Sequence, residues 1–272
     1  NYAVTAIKLN PDVAGNGITL DANNKISFTG YTIVKNEQEL LYAIASGTSS
    51  NISIKDGVYN IGTSISITRP IALIGENKKT TLISLSPSGQ IYFHNTSGTI
   101  VNGVATSIAE NVISVHSLDM SGSMTLGSYA GATLILDEIP FKVVSVISGE
   151  VGGTAVVQLS EPYAGNAFVN KPFRLEYLLD FVVLKNLGFS SAYNDGIVKI
   201  DRVRNLLIDD VEVRGSDVIN NPSQGLNING VYFGRISNLD VTLTKVTLPL
   251  SENKEYAIYL NNSRFISFDN IN

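Results

Sequence analysis

Residues 206–216 read LLIDDVEVRGS. Ile208, Val211 and Val213 suit a buried face, while Asp209, Asp210, Glu212 and Arg214 stand between them. Such a stretch is either a cluster of catalytic carboxylates or the wet side of a strand, and recurrence decides between them. With Val211 as anchor, the same local pattern returns at Leu187, Leu239 and Ile271. Three residues upstream of the anchors stand Leu184, Ile208, Ile236 and Phe268; five upstream stand Val182, Leu206, Gly234 and Ile266; two downstream stand Phe189, Val213 and Val241. Eleven upstream, Ile200, Ile228 and Leu260 agree, and Glu176 breaks the pattern. The anchors lie 24, 28 and 32 residues apart (187 to 211, 211 to 239, 239 to 271).

A constant template with a varying interval indicates a solenoid that takes extra residues into one loop. The two-residue period inside each copy makes the unit strands rather than helices. One such strand cannot bury its apolar face alone, whereas stacked coils about 4.8 Å apart form a continuous interior. The expected fold is therefore all-β, a parallel β-helix. The residues before the anchors, Asn186, Asp210, Asn238 and Asn270, suit a turn ladder, because Asn and Asp tolerate left-handed backbone and stacked amides can hydrogen-bond along the axis. Asp210 is accordingly assigned to the turn and not to catalysis.

The rest of the composition fits. Charged residues are 16% of 272, there are 23 glycines, and Cys and Trp are absent. No disulfide framework or thiolate metal site can form. A net charge of −5 argues against a nucleic-acid partner. No apolar run is long enough to span a membrane, and NYAVTAIKLNPD lacks the regions of a signal peptide. Since it does not begin with Met, the chain reads as a fragment or a mature form.

Upstream, VKNEQELLYAIASG predicts a short amphipathic helix: Asn36 caps it, Glu39 takes the capping-box position, Leu40, Leu41, Ala43 and Ile44 form the apolar face, and Gly47 ends it. Such a helix covers the open first coil of a solenoid. After it, Ile52, Ile54, Ile65, Ile67, Ile71 and Leu73 alternate as early coils. The helix together with IKDGVYNI, ISITRPIALIGE and TTLI resembles the start of pectin-lyase-like right-handed parallel β-helices, over about residues 34–90 and 179–272. That superfamily includes pectate lyases, polygalacturonases and phage tailspikes. Residues 98–178 leave the template; Thr133–Leu136, Lys142–Val146 and Ala155–Leu159 read as strands of a small inserted β domain, an insertion more like those of tailspikes. The expected organisation is an extended lead-in over 1–33 that touches a neighbouring subunit, capping helix and first coils over 34–97, the insertion over 98–178, and further coils over 179–272. The chain ends in mid-coil, so it is expected to continue or to be covered by another chain.

On the outer face, Asp209 is expected to stack with Lys185, Ser237 and Asp269; Glu212 with Gly188, Asp240 and Asn272; Arg214 with Ser190 and Thr242. Glu212 and Asp240, one coil apart and about 5 Å by strand spacing, would form a carboxylate pair in which one pKa rises to make a general acid, with Asp209 beside them. Substrate contacts are assigned to Arg214, Arg235, Lys185, Tyr193 and Tyr232, with Arg202, Arg204 and Lys199 as further cations and Tyr256 and Tyr259 as further rings. Core or ladder packing remains the competing role for each tyrosine. His94 and His116 are read as structural. No cofactor or metal is expected; calcium on Asp209, Glu212 and Asp240 is the alternative. The loops GSDVINNPSQG and TKVTLPLSENKEYA would wall a groove.

The resemblance implies a tailspike-like protein of the virion tail, or an extracellular one, that binds and cleaves a bacterial surface polysaccharide by hydrolysis or β-elimination. It also implies a homotrimer, with no nucleic acid and no membrane insertion. The alternatives are a non-catalytic adhesin or virion structural β-helix, and a secreted pectate-lyase-like enzyme.

Overall fold

A computed structural model describes residues 18–20, 26–28, 30–47, 49–87, 89–96, 100–109, 112–116, 130–149, 154–163, 171–191, 196–215, 224–243 and 256–272. Tyr193 and most of the two loops expected to wall a groove lie outside these residues, as does most of the lead-in, of which Ile18–Leu20 and Ile26–Phe28 form an antiparallel pair. The chain divides into two units: residues 1–94 with 179–272, and residues 95–178.

The first unit is a parallel β-helix. Along one face, Thr32, Ile52, Leu73, Leu184, Ile208, Ile236 and Phe268 sit opposite one another in successive strands. Leu73 and Leu184 are thus neighbours although the whole second unit lies between them in sequence. A second face aligns Tyr59, Ile83, Phe189, Val213 and Val241. A third aligns Ile67, Phe93, Ile200, Ile228 and Leu260. The inward residues are mostly β-branched, which suits a pleated surface packed on its neighbours, and Ile52 to Ile236, Tyr59 to Val213 and Ile67 to Ile228 along the three columns share one continuous core.

Each corner needs a residue that turns the chain out of β space. Asn186, Asp210, Asn238 and Asn270 have φ of 54°, 54°, 52° and 50°. The left-handed corner is as expected, and of the side-chain ladder one rung is present. Asn270 donates to Asn238 Oδ1 at 2.8 Å, but Asn238 donates to Asp209 and not to Asp210. A second corner, which the template did not reveal, turns at Arg202, Gly230 and Asn262, all with φ between 47° and 64°. Beside it Asn229 donates to Asp201 at 2.7 Å.

The cap is the helix Glu37–Ser46. Asn36 Oδ1 accepts from the Glu39 N–H at 2.9 Å; the Glu39 carboxylate reaches one residue further back than a capping box does, to the Lys35 N–H at 2.8 Å. Gly47 closes it at φ 66°, and Arg69 donates to the carbonyls of Ala43 and Ile44. Leu40, Ala43 and Ile44 are buried on the first coils, with Leu41 half-buried.

The second unit is a closed antiparallel barrel in the order Ile100–Ala109, Val112–His116, Thr154–Leu159, Ile139–Gly149, Thr133–Leu136, Lys171–Glu176. Three of its strands, Ile100–Ala109, Val112–His116 and Lys171–Glu176, were not legible as strands. The hairpin at Asp137 and Glu138 turns through two left-handed residues (φ 51° and 64°), as a two-residue type I′ turn requires. Its core holds Leu134, Leu136, Phe141, Val143, Val157, Leu159 and Phe173.

Replacing Asn238 tests the ladder. Asn238→Val puts a β-branched residue at φ 52° and removes two hydrogen bonds, and should cost about 2–4 kcal/mol, whereas Asn238→Gly keeps the backbone and should cost about 1–2 kcal/mol. Denaturant unfolding of the two variants checks the order; equal losses would show that backbone strain is not what Asn238 relieves.

Candidate functional site

The expected columns are in place. Lys185 pairs in register with Asp209, then Ser237 and Asp269; Gly188 with Glu212 and Asp240; Ser190 with Arg214 and Thr242. Lys185 Nζ lies 3.0 Å from Asp209, whose Oδ1 also accepts from Ser237 and Asn238 at 3.0 Å each.

The template missed Lys78 and Lys79. They come from the turn after Ile71–Gly75 and arrive over the corner of much later coils. Lys78 Nζ lies 3.0 Å from Asp210 and 2.9 Å from Asp240, and reaches the Asn238 carbonyl at 3.4 Å. Lys79 Nζ lies 2.9 Å from Glu212 Oε1, and Arg214 donates to Glu212 Oε2 at 2.6 Å. The turn is held by its own side chains. Asn77 Oδ1 accepts from the Lys79 N–H, and buried Thr81 Oγ1 accepts from the N–H of Glu76 and Asn77 while donating to Asp56. It can approach the coil because residue 188 is glycine: a Cβ there would stand 2.6 Å from the Lys78 carbonyl oxygen.

These contacts reverse one expectation. Glu212 is buried, not on a wet face, and burial pushes its carboxyl upward; the hydrogen bonds of Arg214 and Lys79 outweigh that and hold it below the usual range. Asp240 is likewise lowered, first by Lys78 and then by Asn272. Asp209 is lowered as well, its burial being overcome by Asn238, Lys185 and Ser237. Neither member of the Glu212–Asp240 pair is raised by the other, because a cation bonds each of them. Among the described residues no three acidic or imidazole groups converge as metal ligands, and Asp209, Glu212 and Asp240 each face an ammonium or guanidinium.

Of the assigned substrate-binding residues, Lys185 and exposed Arg235 lie outside the first face and Arg214 outside the second, across the left-handed corner. Tyr232 is corrected: it is 1% exposed and offers no ring face to a sugar. It lies between the register pairs Val203–Val231 and Asn205–Phe233, beside equally buried Arg204, where the outer face is covered. Buried Ala72, Phe181 and Val183 show the same: between-core positions are not uniformly wet. Phe181, Asn205 and Phe233 share a register, and the rings of Phe233 and Phe265 stack at 5.4 Å.

A second polar group lies on the third face. The Tyr92 ring stacks on His94 at 4.1 Å, His94 Nε2 is 2.8 Å from Ser66 Oγ, and Tyr92 donates to Asp201 at 3.1 Å. Lys199 Nζ lies 5.2 Å from the Tyr92 ring centre. Nothing local in the sequence joins residues 92 and 201; only the coil register does. Tyr259 on the same face is 38% exposed.

No family model matches the chain, and no curated protein is similar to it. Among solved structures, the chain is similar to the tailspike protein gp49 from Pseudomonas phage LKA1, with a TM-score of 0.51 at 16% identity, over 86% of this chain and 39% of that one. It also matches the Gp54 tailspike of Acinetobacter baumannii bacteriophage AP22 in complex with A. baumannii capsular saccharide, with a TM-score of 0.37 at 13% identity, over 86% of this chain and 47% of that one. The chain spans less than half the length of either. The likeness is one of fold, the parallel β-helix that this chain shares with gp49.

Two outcomes follow from the charged corner. Carboxylates held low stabilise the fold above their unfolded pKa and lose that contribution as pH falls through the folded one, so the melting temperature should drop between about pH 5 and pH 3. The double variant Glu212→Gln, Asp240→Asn should flatten that slope, and an unchanged slope would locate the acid sensitivity elsewhere. Gly188→Ala should cost about 1–3 kcal/mol in thermal or denaturant unfolding by pushing the Lys78 turn off the coil.

Proposed function

We propose that the protein binds and cleaves a bacterial surface polysaccharide, a capsule or an O-antigen, as a tailspike-like homotrimer of the virion tail. The observation that carries this reading is the outer corner of the β-helix. Successive coils there, about 4.8 Å apart, carry Lys185 and Asp209 in one column and Asp240 in the next, with Lys79 and Arg214 exposed over buried Glu212. A repeating polar surface suits a repeating polymer. The fold shared with a phage tailspike supports the same reading.

The electrostatics bear on the chemistry. A retaining or inverting hydrolase needs one carboxyl raised enough to protonate the leaving oxygen. Glu212 and Asp240 are both held ionised and do not supply that group. β-Elimination needs a base and a cation that stabilises the carboxylate of the sugar. The corner supplies cations for that reaction, Lys79 and Arg214, while its carboxylates, held low, are weak bases that position those cations.

A second reading, an adhesin or virion structural β-helix without catalysis, is favoured by the engagement of Asp209, Asp210, Glu212 and Asp240 in ion pairs. A panel of purified capsular and O-antigen polysaccharides separates the two. Release of reducing ends marks cleavage, and ultraviolet absorbance of an unsaturated product marks elimination. Glu212→Gln and Asp240→Asn should each lower the rate by about tenfold, by loosening Lys79 and Arg214 or Lys78; full cleavage by both would remove these residues from the reaction.

A further inference from the structure

The charged corner is neutral when all its members are counted, but its charges are layered. At Glu212 two cations share one carboxylate: Lys79 on Oε1 and Arg214 on Oε2. Beside it the sharing is the other way round, with Lys78 alone between Asp210 and Asp240. The Glu212 side chain is 7% exposed, whereas those of Lys79 and Arg214 are 56% and 45% exposed. Approaching solvent meets an ammonium and a guanidinium, and the carboxylate lies beneath them. The same order holds where Lys185 is 41% exposed over Asp209 at 24%, and it is reversed at Lys78, which is 17% exposed beneath Asp210 at 42%. Arg235, also exposed, stands two residues before Ser237 on the same strand.

A buried carboxylate that aligns two exposed cations is an arrangement for receiving an anion from outside. Glu212 fixes the separation of the two donors, which lowers the ordering cost that two long side chains would otherwise carry into binding. The guanidinium keeps further N–H donors in a planar fork suited to a carboxylate. The exposed layer works against the overall net charge of −5 and attracts acidic groups locally.

We propose that Lys79 and Arg214 together bind the anionic substituent of an acidic polysaccharide, so that the protein selects charged over neutral glycans. This rests on the polysaccharide-binding reading above and specifies its substrate class. Lys79 and Arg214 are the specificity residues, and Glu212 is a positioning residue beneath them. Gly188 is what allows Lys79 to be there, by leaving room for its turn.

The test uses the full chain and a panel of purified acidic and neutral capsular and O-antigen polysaccharides, each acidic one also in carboxyl-reduced form. Binding is read by calorimetry, and folding of every variant by its melting temperature. The expected result is binding to acidic members and its loss on raising the salt concentration. Lys79→Gln and Arg214→Gln should each weaken binding by about tenfold, the scale of one charge-assisted hydrogen bond, and Lys79→Arg should restore most of it. Loss on carboxyl reduction identifies a uronic-type carboxylate as the bound group; retention with a phosphate- or sulfate-bearing polymer identifies that group instead. Equal binding of a neutral polysaccharide by wild type and folded Lys79→Gln overturns the selectivity while leaving glycan binding in place. Binding to no member of the panel overturns both.

Discussion

Coils of the β-helix can bury their inward side chains only against the coil above and below. That in-register stacking is the constraint on which everything else depends. The column Ile52, Leu73, Leu184, Ile208 and Ile236 is fully or almost fully buried because each member is roofed by the next. The register also converts sequence offsets into neighbours in space. Lys185, Asp209 and Ser237 are separated by two dozen residues or more and form one hydrogen-bonded group.

The stacking carries its own electrostatic difficulty. A template that repeats a carboxylate in every coil brings like charges together at strand spacing, which is unfavourable. Asp210, Glu212 and Asp240 fall near one corner in this way. The turn at Lys78 and Lys79 relieves it, one lysine bridging Asp210 and Asp240 and the other meeting Glu212. The cost of burying Glu212 is offset by two cations rather than by protonation, so the group stays an acceptor. Over Glu212 the groups left facing outward are Lys79 and Arg214, and the function proposed for the corner follows from those two cations more than from the carboxylates.

The chain accommodates a whole barrel between Phe93 and Leu179 without loss of register, because Leu73 and Leu184 meet as if they were consecutive. Loop closure entropy grows slowly with length, so a long excursion from a solenoid corner is tolerated when it folds by itself. The barrel has its own core and its own tight hairpin. Strand pairs such as Ile100–Ala109 with Lys171–Glu176 close it across its whole length in sequence, and for that reason local alternation did not reveal them.

The sequence by itself determined the stacked coils, the capping helix and the left-handed corner at Asn186, Asp210, Asn238 and Asn270. Each is a local property: an alternation over a few residues, a cap with its partner three residues away, or a residue type that tolerates positive φ. It also determined which residues share a column, since a repeat fixes register. Only the tertiary structure decided which columns are wet and what sits on them. Tyr232 and Glu212 occupy outward positions and are buried nonetheless, and Lys79 meets Glu212 across 133 positions of sequence. Those facts depend on the path of turns that lie outside the repeat, where no periodicity constrains the chain and packing against distant coils sets the result.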